Sequence, residues 1–99
     1  MIIVAGTVRI PEEKITDLLP VAKATLAATR KEAGCLLYSY AFDVEDRGLM
    51  RIFEQWKSRA HLEAHFKQPH MGPWREKLAE IGASGRSIKA YEAGEGQTL

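Results

Sequence analysis

Three short runs rich in β-branched and aromatic residues, "IIVAGTVRI" (2–10), "CLLYSYAFDV" (35–44) and "LMRIFEQW" (49–56), alternate with stretches whose apolar residues recur at helical spacing. The two periods separate strand from helix, and their order along 99 residues limits the chain to a handful of topologies. The first run stops at Pro11, which has no N–H to give to a ladder. Pro11, Glu12 and Glu13 then suit the opening of a helix, a proline early and two acids at the positive end. Ile15, Leu18, Leu19, Ala22 and Leu26 carry its apolar stripe, and Gly34 offers a left-handed cap near its end. Pro20 falls inside the stripe, removes the bond to the carbonyl of Thr16, and predicts a bend or a break.

The second and third runs are joined by "EDRG", whose Asp46 and Gly48 are turn formers, and should pair as a hairpin. Ser58 is a good N-cap for "RAHLEAHFK"; Pro69 interrupts, and Trp74, Leu78 and Ile81 resume helical spacing before Gly82. "SGRSIKAYEA" supplies a last short strand. The order β-α-β-β-α-β predicts an α+β fold of the ferredoxin-like kind, a four-stranded antiparallel sheet with the helices on one face. One domain is expected over 1–93, followed by a polar tail over 94–99.

Two helices can cover only one face of that sheet, yet the second run carries apolar residues on both. Leu36, Tyr38, Tyr40 and Phe42 alternate with Cys35, Leu37, Ser39 and Ala41. A second copy meeting the uncovered face around a two-fold axis satisfies both, so a homodimer through the sheet faces is expected. Fourteen basic against thirteen acidic residues leave no field to gather nucleic acid. The lone Cys35 cannot close an internal disulfide, and "MIIVAGTVRIPEE" has neither a basic n-region nor a long apolar run, so a cytoplasmic protein with no membrane segment is expected.

All three histidines lie in "HLEAHFKQPH", His61 to His70. His61 and His65 share a helix face at the spacing of the zinc motif H-E-x-x-H, but the acid is Glu63, one place too late, and no local carboxylate completes a ligand set. No metal is expected. His61, next to a helix start, reads as a solvated side chain. The third run places Met50, Ile52, Glu54 and Trp56 on one side, leaving a carboxylate among apolar neighbours. Such a buried acid needs a partner, and His65 or His61, or Arg51 or Lys57 at the sheet rim, could serve. Tyr38, Tyr40, Trp56, Phe66 and Trp74 could line a small-molecule cavity or simply fill the core.

"EAGCLLYSYAFD", "FEQW" and "AHLEAHFKQPHM", taken in this order, resemble the antibiotic biosynthesis monooxygenase family, especially its small quinol-monooxygenase-like branch. The matching positions are Gly34 and Cys35, Glu54 and Trp56, His65, and Pro69 and His70. The resemblance implies a dimeric α+β barrel with a pocket between sheet and helices. It implies oxidation of a small aromatic or quinol by O2 with no cofactor, His65 as the proton acceptor, Glu54 beside it and His70 at the pocket edge. A histidine is suited to take a hydroquinone proton at neutral pH, and apolar walls would exclude water. The alternatives are an isomerase or related enzyme on a small oxygenated metabolite, and a non-catalytic dimeric module that binds a small ligand.

Overall fold

The structure, a computed structural model, describes residues 1–99. Strand β1 spans Ile2–Arg9; a single 3-10 turn over Glu12–Lys14 leads into α1 (Ile15–Thr29). The hairpin β2 (Cys35–Phe42) and β3 (Leu49–Trp56) follows, then α2 (Arg59–Phe66), α3 (Met71–Glu80) and β4 (Ser84–Glu92). The sheet is antiparallel, in the order β2-β3-β1-β4. This is the expected ferredoxin-like α+β arrangement, with the second helical region in two pieces on either side of Pro69. No helix is long and apolar enough to cross a membrane.

The hairpin turn is organised by its acids. Asp46 accepts from the Gly48 N–H and binds Arg9, while Asp43 binds Arg51 at 2.9 Å. Ser58 caps α2 as its sequence position indicates, accepting from the His61 N–H. The helix runs on through Pro20, which lies in its second turn and leaves only one hydrogen bond unmade. It ends earlier than Gly34 suggests, at Thr29, and the chain descends through a tight turn over 30–34 before β2 begins.

Met50, Ile52, Glu54 and Trp56 all face the helices and are all buried, as alternation requires. Ile2, Val4 and Val8 of β1 join them, and α1 and α3 contribute Leu18, Ala22, Met71 and Trp74. On β2 the simple alternation fails at one place. Cys35 pairs with Trp56 and Leu37 with Gln55, so Leu36 is the extra residue of a bulge. The covered face of β2 therefore carries Cys35, Tyr38, Tyr40 and Phe42, and Leu36 turns outward, half-exposed. The opposite face of the sheet presents Leu37, Phe53 and Tyr91, all exposed, with Ile3 and Ala5 between them.

Candidate functional site

The early end of α1 has a consequence for chemistry. In the turn that follows, the Glu32 N–H donates to the Thr29 carbonyl at 2.9 Å and Gly34 takes φ +79°. Arg30 donates twice to the Tyr38 carbonyl, at 3.1 and 2.9 Å, and the Lys57 N–H donates to the Gly34 carbonyl at 2.9 Å. The turn is thus tied to β2 and to the end of β3, and Glu32 is carried inward toward α2.

There its Oε2 meets two imidazoles, His65 Nδ1 at 2.9 Å and His70 Nε2 at 2.8 Å. His65 comes from the last turn of α2; His70 stands at the start of α3, delivered by the Pro69 break. Side-chain exposure falls from 23% at His70 through 8% at Glu32 to 1% at His65, so the cluster runs from surface to core. A carboxylate only accepts, which assigns the protons: His65 carries its hydrogen on Nδ1 and His70 on Nε2. The basic atoms left are His65 Nε2 and His70 Nδ1. The buried Thr29 Oγ1 lies 3.2 Å from His70 Nε2 as a second neighbour.

The His65 ring packs 4.8 Å from the Trp56 ring and edge-on to Tyr38 at 5.2 Å, with Phe66 at 5.9 Å. Burial pushes its pKa down and outweighs the opposing pull of Glu32, so the ring is uncharged at neutral pH and able to accept a proton. His61 stands apart. Its Nδ1 lies 2.7 Å from Ser58 Oγ and its ring packs under Gly34, half-buried rather than solvated.

Glu54 is buried, and neither histidine nor any rim cation is its partner. The Trp56 indole N–H donates to its Oε1 at 2.9 Å, two residues along the same strand. Burial above all, with the charge of Glu32 adding, raises its pKa to about 7. The expectation of a Glu54–His65 pair gives way for a geometric reason: Glu32 reaches His65 first, from a turn that strand alternation cannot foresee. Burial also pushes the Tyr38 and Tyr40 phenols far up, and their hydroxyls bond each other at 2.8 Å. Neither is a phenolate at physiological pH.

The aromatic residues pack on one another and leave little open space among themselves. Tyr40 stacks on Trp74 at 4.8 Å and 8°, Tyr38 meets Tyr40 edge-on, and Trp56 is fully buried. Phe66 is half-exposed. Two surface depressions instead flank His70. One, of about 400 Å³, is lined by Lys31, Glu32, His61, Gln68 and three alanines; the other, of about 310 Å³, lies between α1 and α3.

Glu32 is the residue that local spacing missed, although it stands directly before the "AGC" that opens β2. The three heteroatoms, within 4.8 Å of one another, are of types that bind divalent cations, so the turn supplies through Glu32 the carboxylate that "HLEAHFKQPH" lacks locally.

Residues 1–77 match the family model of the antibiotic biosynthesis monooxygenases. An uncharacterised protein of Synechocystis sp. is 32% identical over 98 residues, covering 99% of this chain and 67% of the relative. A solved structure from Deinococcus radiodurans, provisionally named an antibiotic biosynthesis monooxygenase, superposes with a TM-score of 0.91 at 30% identity over 100% of this chain and 98% of its own. A conserved protein of unknown function from Bacteroides thetaiotaomicron, described as a possible oxidoreductase, gives 0.83 at 26% identity, covering 93% of this chain and 96% of its own. The chain belongs to the antibiotic biosynthesis monooxygenase family.

Proposed function

We propose that the protein is a monooxygenase that oxidises a small aromatic or quinol-like compound with O2 and no cofactor. His65 is the proton acceptor. The observation that carries this reading is the shared Oε2 of Glu32, which holds His65 in the tautomer whose Nε2 is free and basic. A hydroquinone that loses its hydroxyl proton to that nitrogen becomes an anion able to pass an electron to O2. One oxygen atom then enters the ring and the other leaves as water, with the quinol oxidised. Glu32 stabilises the imidazolium formed, as a carboxylate behind a catalytic histidine does. Glu54, bonded to the Trp56 indole that packs against His65, has its pKa raised by burial to about 7. Tyr38, Tyr40, Trp56, Phe66 and Trp74 supply the apolar surround, and His70 the edge nearest solvent.

The working unit is residues 1–93, with 94–99 as a tail. It is paired with a second copy through the sheet face that presents Leu37, Phe53 and Tyr91. The unpaired, half-buried Cys35 suits a reducing compartment such as the cytoplasm. Oxygen uptake with a panel of simple hydroquinones tests the reading, with consumption tied to quinone formation as the expected result. No uptake on any member, together with histidine-dependent exchange of a carbon-bound proton in a keto compound, would replace it with an isomerase.

A further inference from the structure

His65 is almost wholly enclosed, so a substrate must first meet the cluster elsewhere. The geometry points to a seat for a neutral, hydroxyl-bearing aromatic ring in the depression between α1 and α3, with His70 as the residue that touches it. The walls of this depression are Pro20, Val21, Ala24 and Thr25, from one side of α1, and Pro73 of α3, with His70 beside them. The Thr25 hydroxyl donates back to the Val21 carbonyl at 2.8 Å and so has no hydrogen to give a ligand. Two prolines stiffen the walls. At about 310 Å³ and open to solvent on one side, the depression has room for a single aromatic ring.

The chemistry of the occupant follows from His70. Its Nε2 is committed to Glu32 and Thr29, and Nδ1 makes no hydrogen bond within the chain. With the hydrogen on Nε2, Nδ1 can only accept, so the ligand must bring a donor. The Glu32 carboxylate behind the ring disfavours a ligand that is already anionic. A phenol or hydroquinone meets both conditions; an aryl ether lacks the donor and a benzoate carries the wrong charge. His70 then joins the bound hydroxyl to the carboxylate that holds His65. Calling this ligand the substrate rests on the monooxygenase reading; the binding itself does not.

Titration of the ¹⁵N-labelled protein with phenol, hydroquinone, anisole and benzoate tests the seat. Phenol and hydroquinone are expected to shift the amides of Val21, Ala24 and Thr25 and the ring resonances of His70, with anisole at least tenfold weaker and benzoate without effect. Ala24→Trp, a change on the exposed side of α1, is expected to abolish these shifts while the remaining spectrum keeps its dispersion. Equal binding of anisole and phenol, or shifts confined to residues outside this depression, overturns the proposal without need of the variant. Donor-selective binding with no oxygen uptake keeps the seat and rejects the monooxygenase reading. Oxygen uptake that Ala24→Trp leaves unchanged keeps that reading and rejects the seat.

Discussion

At the residue scale, the proposed chemistry rests on a carboxylate that bridges two histidines. If His65 accepts the substrate proton, His65→Ala lowers turnover by about a hundredfold or more, the usual worth of a positioned base, while the fold survives. His61→Ala does much less, because its Nδ1 is bonded to Ser58 and its ring makes no hydrogen bond to Glu32. Glu32→Gln keeps the shape but removes the charge that steadies the imidazolium. It is expected to cost at least about tenfold in kcat and to move the acidic limb of the pH–rate profile. An unchanged profile with normal kcat would reduce Glu32 to a structural tie. Glu54 makes a separate prediction about stability. Its folded pKa of about 7 lies above the ordinary 4.5, so the folded state holds the proton more tightly than the unfolded chain. Stability should therefore fall as pH rises from 4.5 to 7, by about 3 kcal/mol at the conversion of 1.36 kcal/mol per unit. Glu54→Gln, which can still accept from the Trp56 indole, removes that loss. Urea unfolding of parent and variant at both ends of the window measures it, and parallel curves would reject it. Glu54 is legible from strand alternation, and His65 from its place beside Phe66 on the helix that faces that strand. Glu32 was not, because its direction depends on where α1 ends.

At the element scale, two glycines act through close approach. At Gly6, midway along β1, a Cβ would run into the Ser87 carbonyl and the Ile88 backbone, so β4 crosses close over β1 there. Gly6→Ala must push the strands apart and should destabilise by about 1–3 kcal/mol, the range for forced overpacking. Hydrogen exchange should then quicken in β4 before it does in the β2–β3 pair. A uniform change across the sheet would contradict this. Gly34 combines φ +79° with contact against His61, which is why the turn carrying Glu32 begins the Gly-Cys step. The elements themselves were readable from periodicity, proline and caps, since these are local properties. The bulge at Leu36 was not, because nothing within β2 marks it. It arises where the strand must realign with Trp56 and Gln55 of its neighbour.

At the scale of the whole molecule, the helices cover one face of the sheet and leave Leu37, Phe53 and Tyr91 on the other. Sedimentation at micromolar concentration should show a dimer, and Phe53→Glu should shift it to monomer without unfolding it. A parent that sediments only as monomer would reject the pairing. Metal removal addresses the site as a unit. Chelation is expected to leave folding and oxygen uptake unchanged, because the proposed chemistry uses Glu32, His65 and His70 as a hydrogen-bonded relay and not as ligands. Zinc or iron bound stoichiometrically and lost together with activity would make the same three side chains a metal centre.

The order of strands and helices, the split at Pro69, the cap at Ser58 and the burial of Glu54 all follow from the sequence alone. Each depends on neighbours a few residues away and on the fixed periods of strand and helix. Only the tertiary structure decided which acid serves which histidine. Glu32 lies 33 positions from His65 and 38 from His70 along the chain. No periodicity spans such a distance; the pairing exists because α1 stops at Thr29 and the following turn is tied to β2 and β3, which turns the carboxylate inward between the two imidazoles.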